Sequence, residues 1–486
     1  MIAYRVRKLT IVASVLFLSA PAVIAQSGAT AGNVPDVAAD TFNQSPVSFE
    51  EQSPYLGSVP EGKAVPGALN VSLEEAVQRG LKQNLGVLLS SDTLDAARGG
   101  RWQALSALLP SAVTETSLNT HQLDLKATIG LQIPGVPPVI GPFGVFDTRA
   151  YVDQTVFDWQ SIERARSSSQ LVNAAQYGYR SARDIVVVAV ASSYLLTIAD
   201  EARVTSALAQ RDTARALYQQ TSDQRTAGVA AAVDVLRSDV ELQARQQELI
   251  VARNSLAKQK LVLARVIGLP AGQMFDLTTD VPYHPLATMS LDEALLVAYA
   301  QRPDYQSAIA RLQSAELQRK AAAAERYPSI SVEADYGDIG VTPATSHGTV
   351  NAAGVLTVPI FEGGRIHGDI LEANAAYRRA RERMSNLRAQ IDQDVRDAFL
   401  DLQASSARVS VEKNAITLAN ETLQQSRDRF ASGVTDNIEV VQAQESVAAA
   451  NDAYIDSLYS YNIAKISLAR AMGVAESDYA LYLKGQ

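Results

Sequence analysis

The chain is written twice. Val71-Ser72-Leu73-Glu74-Glu75-Ala76 returns 218 residues later as Met289-Ser290-Leu291-Asp292-Glu293-Ala294, and Pro110-Ser111 returns at the same offset as Pro328-Ser329. Downstream the offset falls to 204, between Val156-Phe157-Asp158 and Ile360-Phe361-Glu362. It then settles at 205, where Gly228-Val229 matches Gly433-Val434 and Leu263-Ala264-Arg265-Val266-Ile267-Gly268 matches Leu468-Ala469-Arg470-Ala471-Met472-Gly473. Matches in one order at nearly constant spacing mark an internal repeat, so one architecture is used twice. The drop from 218 to 204 puts fourteen extra residues into the first copy between Pro110 and Phe157, around Pro134, Gly135, Pro137, Pro138, Gly141, Pro142 and Gly144. That is loop chemistry, which lengthens a turn without altering the repeat.

Each copy has the same grammar. A helix starts at a capping serine with an acid three residues on, Ser72 with Glu75 and Ser290 with Glu293, and runs to Pro110 or Pro328. Two alternating stretches follow. Then comes a long helical stretch, about 160–227 and 365–432, which breaks at Gly228 or Gly433 before a further helix returns to Gly268 or Gly473. At 1.5 Å per residue such a stretch is a rod of roughly 100 Å, which must pack side by side in a bundle or in the wall of something larger.

The alternating stretches read as strands. Leu123, Leu125, Ala127 and Ile129 alternate with Gln122, Asp124, Lys126 and Thr128; Phe146, Thr148, Ala150 and Val152 alternate with Asp147, Arg149, Tyr151 and Asp153. In the second copy Ile330, Val332, Ala334 and Tyr336 alternate with Ser331, Glu333 and Asp335, and Val350, Ala352, Leu356 and Val358 share one side. One apolar and one charged face suit a membrane barrel with lipid outside and water inside. Strand pattern alone favours a hairpin packed on a soluble core; closure argues the other way. Four strands cannot close a barrel, and lipid does not tolerate an open edge. In a membrane, several chains must therefore share one barrel, and three chains supply twelve strands.

Composition narrows the function. Aromatics are 6%, and alanine, leucine, glutamine, arginine and glutamate fill unbroken stretches, as in extended helices. A net charge of −9 gives no basic footprint for nucleic acid. With no cysteine, the chain has no disulfide, thiolate metal site, cysteine nucleophile or cysteine-linked lipid anchor. The histidines His121, His284, His347 and His367 have no metal-ligand spacing, and no nucleophile elbow, phosphate loop or catalytic carboxylate pair stands out, so neither cofactor nor enzymatic chemistry is expected. Arg5, Arg7 and Lys8, the apolar run 9–20 and the small residues Val23 and Ala25 read as a signal peptide over 1–25. Residues 26–70, with five prolines, read as an extended arm of little structure. The apolar segment Ile185 to Ala199 is short of a span, carries Ser192, Ser193, Tyr194 and Thr197, and reads as a packed helix.

These features resemble the TolC family of outer-membrane efflux proteins over about 70–480. The carriers are the two helix starts, the prolines ending the first helices, and Val358-Pro359-Ile360-Phe361-Glu362-Gly363-Gly364-Arg365. The tips Arg225-Thr226-Ala227-Gly228-Val229 and Arg429-Phe430-Ala431-Ser432-Gly433-Val434 complete them. The first copy departs at Phe157-Asp158-Trp159-Gln160, which lacks the Gly-Gly-Arg. The resemblance implies a homotrimer with a shared twelve-stranded barrel in outer-membrane lipid, continuous with an α-helical barrel across the periplasm. It implies a passive exit duct that docks on a periplasmic adaptor and an inner-membrane pump, for efflux or type I secretion. Adaptors dock in the family at the tips, here Arg225, Gly228, Val229, Arg429, Gly433 and Val434; turn geometry alone is the other reading of the glycines. An acidic entrance ring would fall on Glu439 and Gln442, of which only the first is acidic, and three Glu439 side chains together would favour cations. Asp234 and Arg237 hold the matching places in the first copy, and a solvated surface glutamate is the other reading of Glu439. The expected order is repeat 1 over 71–270, a linker at 271–288, repeat 2 over 289–475 and a tail at 476–486. A periplasmic adaptor, a coiled-coil envelope scaffold or a lone porin are the competing readings; one hairpin, no strands or more strands, respectively, would suit them better.

Overall fold

The structure is a computed structural model that describes residues 53–484 apart from 131–133, 280–282, 287–288 and 436. The expected signal peptide and the first part of the arm lie outside the described residues. A 3-10 turn at Pro54–Leu56 and strand β1 (Leu69–Val71) lead into repeat 1. Helices α1 (Leu73–Gln83) and α2 (Leu85–Ser106) lead to β2 (Ser111–Asp124), a short α3 (Leu125–Ile129) and β3 (Val139–Phe157). The 68-residue α4 (Trp159–Thr226) and α5 (Ala232–Val266) complete it, and β4 (Phe275–Leu277) follows. Repeat 2 has α6 (Leu291–Gln301), α7 (Pro303–Ala324), β5 (Ser329–Gly340), β6 (His347–Thr357), the 67-residue α8 (Arg365–Ala431), α9 (Asn437–Ala471) and α10 (Ala475–Lys484).

Both capping serines act as their spacing predicts. Ser72 Oγ accepts from the Glu75 amide at 3.2 Å, and Ser290 and Glu293 form a reciprocal capping box. The helices they start are shorter than expected, because each is two helices and not one. Asn84 leaves the helical region, ending α1, and its side chain accepts from the Gly86 amide at 2.9 Å, starting α2. Arg302 takes that place in repeat 2, with Pro303 in the first turn of α7, where a missing N–H costs nothing.

The first strand is also corrected. It occupies Ser111–Asp124, not 122–129, and Leu125–Ile129 turns into a helix whose Ala127 amide is accepted by Asp124 at 3.1 Å. Nor are residues 53–70 a free arm: β1 pairs in parallel with β4, and Asn84 Nδ2 donates to the Tyr55 carbonyl at 2.7 Å. The expected tail is helix α10, whose Leu483 and Tyr482 are buried in the two cores.

The four long strands form one antiparallel sheet in the order β2-β3-β5-β6. Its register puts Ala112, Thr114, Thr116, Leu118, Phe146, Thr148, Ala150 and Val152 on one face with Ile330, Val332, Ala334, Tyr336, Val350, Ala352 and Leu356. Glu115, Asp147, Arg149, Asp153, Glu333, Asp335, Thr349 and Asn351 share the other. Two repeat-related cores lie midway along the long helices. Val186, Val187, Val190, Ala191, Tyr194 and Leu195 of α4 anchor the first, among α1 and the ends of α5 and α10. Ile391, Val395 and Ala398 of α8 anchor the second, with α6, α9 and α10. α4 carries an apolar window of membrane-spanning length, but half of that window is buried in the fold, as the packed-helix reading of Ile185 to Ala199 expects.

Candidate functional site

The site is built from three features: the helix tips, the row of staves, and the two faces of the sheet. Between the cores and the sheet the helices stand in the order α2-α4-α7-α8; between the cores and the tips the order is α5-α4-α9-α8. α4 therefore has a neighbour on each side along its whole length. α2, α5 and α8 each have one free flank, and β2 and β6 are the two free edges of the sheet. The free elements fall on matching sides: α5, α2 and β2 on one, α8 and β6 on the other.

Each tip is a Schellman turn. Gly228 adopts φ +77° and Gly433 φ +70°, where a side chain would be strained. Val229 N donates to the Gln224 carbonyl and Gly228 N to that of Arg225, both at 2.9 Å; Val434 N and Gly433 N repeat the pattern on Arg429 and Phe430 at 3.0 Å. The residue after such a glycine usually packs back on the helix. Here the acceptor residues are Gln224 and Arg429, and Val229 and Val434 stay 79% and 69% exposed. Each tip thus presents an apolar button beside an exposed arginine, Arg225 at the first and Arg429 at the second.

The expected entrance residues lie just past the second tip. Glu439 is half-exposed and ion-paired with Arg429 at 3.5 Å, so the acid is joined to a tip residue of its own chain. Gln442, one turn on, is exposed. The residues of the first copy do something that sequence reasoning missed. Arg237 spans Asp234, at 3.3 Å, and Asn437 Oδ1, at 2.7 Å, while Asn437 Nδ2 donates to the Asp234 carbonyl at 2.8 Å. Buried Asn437 thereby ties the start of α9 to the start of α5. Higher up, Arg203 of α4 bridges Asp200 of its own helix and Asp456 of α9. These links hold the two hairpins of one chain together; the only signal in the sequence was that Arg237 is charged where the second copy has Gln442.

Above, Arg149 sits at the centre of the polar face of the sheet. It stands opposite Glu115, pairs with Asp335 and with Asp147 at 3.4 Å, and donates to Thr349 Oγ1 at 2.9 Å. One face thus gathers carboxylates around an arginine, and its reverse is mainly aliphatic, aromatic and threonine, with Asp338 near the turn. That division fits a membrane strand set between water and lipid.

Comparison with known proteins decides the class. The profile described as outer membrane efflux protein matches residues 77–269 and 295–474, one match in each repeat. The chain belongs to that family. It is therefore an outer-membrane efflux or secretion channel with its helices in the periplasm. Curated relatives include the alkaline protease secretion protein AprF of Pseudomonas aeruginosa, 23% identical over 68% of this chain and 70% of that one. The toluene efflux pump outer membrane protein TtgC of Pseudomonas putida is 23% identical over 83% of each. Among solved structures, the Campylobacter jejuni CmeC outer membrane channel covers 91% of this chain and 97% of its own, with a TM-score of 0.73 at 16% identity, a likeness of fold. The adaptor and scaffold readings find no support in these relatives.

Proposed function

We propose that three copies of the channel share one twelve-stranded barrel and one helical tube, a passive duct with no reaction of its own. The observation that carries this reading is that the same two sides of the chain are open at every level. β2 and β6 end the sheet, α2 and α8 end the upper row, and α5 and α8 end the lower row. Both lower flanks carry exposed apolar residues, Val233, Leu236, Val240 and Ile250 on α5 and Leu400, Val411 and Leu418 on α8. Lipid does not tolerate the unpaired edges, and joining β6 to β2 of a neighbour removes them. Three copies of four strands give twelve, and the same threefold axis sets the helices as staves around a hollow.

The tips of this duct dock a periplasmic adaptor that connects it to an inner-membrane pump, which supplies the energy. Exposed Val229 and Val434, each beside an arginine, suit an adaptor surface with small apolar hollows and acidic flanks. At the entrance, three Glu439 carboxylates converge but each brings Arg429 with it. The ring is correspondingly a weak cation filter, and Gln442 adds no charge. Members named for a secreted protease and for toluene share this architecture, so the cargo is set by the pump that is docked.

Fractionation and planar-bilayer recording test the reading together. The protein is expected in the outer membrane, forming pores with stable unitary conductance. A chain found soluble in the periplasm, or one that never conducts after extraction from the outer membrane, contradicts it.

A further inference from the structure

We propose that the seam between neighbouring copies replicates the joint inside one chain, with register fixed by the internal repeat and Ile360 and Phe361 seated on the neighbour. The inference rests on the trimeric reading and adds to it which residues meet.

Inside the chain, the exit strand of repeat 1 lies against the entry strand of repeat 2. Val152 faces Ala334, Ala150 faces Tyr336, and past a bulge Phe157 faces Ile330. Just below, Gln160 Nε2 donates to Glu325 Oε1 at the end of α7, and Arg164 reaches the same carboxylate at 3.4 Å. Repeat 2 has the same exit, β6 running into residues 358–364, and repeat 1 has the same entry, α2 running through Pro110 into β2. Within one chain these two lie on opposite edges of the sheet.

The exposures differ as a missing neighbour requires. Val156 and Phe157, at the internal joint, are 60% and 39% exposed; their counterparts Ile360 and Phe361 are 94% and 87% exposed. On the opposite edge, at the foot of β2, Leu109 is exposed, as is Trp102 on the last turns of α2. Exposed apolar residues thus stand at the foot of both edge strands that a ring brings together.

The offsets transfer the register. Adding 204 to the exit residue and taking 218 from the entry residue turns Val152–Ala334 into Leu356 opposite Thr116 of the next copy. The same step turns Ala150–Tyr336 into Gly354 opposite Leu118 of the next copy. Both pairs join the apolar row to the apolar row, so the predicted register preserves the two faces of the barrel. The third pair is not repeated. Phe157–Ile330 would become Phe361 opposite Ala112, but Pro359 replaces Thr155 and has no N–H to donate, so the chain leaves the sheet after Thr357 and drops Ile360 and Phe361 toward the Leu109 and Trp102 patch. The polar stitch is not copied. Gln160, Arg164 and Glu325 correspond to Gly364, Gly368 and Ala107, so that polar bridge has no equivalent between copies, and the nearby Arg365 is paired within its own chain with Glu325, Glu362 and Asp369.

The chain has no cysteine, so introduced thiols report cleanly. Thr116→Cys and Leu356→Cys are placed together in one chain. β2 and β6 are separated by two strands, about 14 Å at the spacing of a sheet and beyond the reach of a disulfide, so any bond joins two copies. Mild oxidation of the detergent-extracted channel is expected to move most of the chain into covalent dimer and trimer bands that reductant reverses. Thr120→Cys with Leu356→Cys, four residues out of register, is expected to stay monomeric. Light scattering keeps the two failures apart. A three-chain particle in which the Thr120 pair bonds preferentially, or neither pair bonds, overturns the register and leaves the trimer standing; a one-chain particle overturns both. Leu109→Cys with Phe361→Cys tests the seat: a bond supports it. A fluorophore on Phe361→Cys that lipid-borne nitroxides quench in the assembled channel places that residue in lipid and overturns it.

Discussion

The two long helices occupy equivalent places in the repeat and are within one residue of equal length, yet α4 buries twenty-one side chains and α8 only six. Composition accounts for part of the difference, since α4 carries the apolar run Ile185 to Ala199 where α8 is polar; position accounts for another part. α4 is an interior stave with neighbours on both flanks, whereas α8 is a boundary stave whose second flank is open. An ordinary surface helix would cover its free flank with charge, but α8 keeps Leu400, Val411 and Leu418 there. On the trimeric reading proposed above, that open flank of α8 is where a neighbouring copy packs.

The largest expected effect separates the two helices directly. Val190→Asp puts a carboxylate into the fully buried core of α4 and should leave no folded chain in the outer membrane, since an unpaired buried charge costs several kcal/mol. Leu400→Asp on the open flank of α8 should leave the chain folded by circular dichroism while destabilising its assembly. Equal loss of folding in both variants would break the comparison.

Gly80 sharpens it from the other side of α4. A β-carbon there would come within 2.5 Å of a Val190 methyl, so Gly80→Leu should lower the unfolding free energy by about 1–3 kcal/mol through overpacking. The matching alanine, Ala298, is already buried in the second core, which is therefore built for a side chain that the first excludes. An unchanged thermal midpoint for Gly80→Leu would mean that α1 and α4 are loosely packed.

A smaller effect depends on pH. Burial pushes Asp184 up to about 6 although it accepts the Glu476 amide at 2.9 Å, where it caps α10. A carboxyl that holds its proton more tightly in the folded state costs stability once ionised. The fold should therefore lose stability as pH rises from about 4 to 6 and stay level above that, by no more than about 3 kcal/mol. Asp184→Asn keeps an acceptor for the cap and should flatten that slope in thermal denaturation; an unaltered slope would assign the pH dependence elsewhere.

The smallest effects are at the entrance. Glu439→Gln should reduce cation preference in single-channel reversal potentials, and Arg429→Gln should raise it by freeing the acid. Selectivity that neither change moves would remove the ring from the account.

The repeat, the long helices and the glycine turns were legible because each rests on a strong local signal, and Gly228 and Gly433 adopt the conformation their position implies. The first strand was not. Its apolar-face row runs Ala112, Thr114, Thr116, Leu118, Thr120, with hydroxyls in place of branched aliphatics, and the better alternation at 122–129 drew the strand too far along. Pro303 marked the break in the second copy, since the residue before a proline avoids helix; Asn84, an ordinary capping residue inside a helical pattern, marked the first more quietly. The tip residues were readable from position. The Arg237–Asn437 link was not, because residues 200 apart meet only once both hairpins are folded.

The central claim is that the open flanks close on two further copies around a hollow axis. Single-particle electron microscopy of the detergent-extracted protein tests it most directly. The account predicts particles with threefold symmetry, an open centre at the level of the long helices, and α8 of one copy lying against α5 of the next. Particles of a single chain, or a ring of any other order, would contradict it.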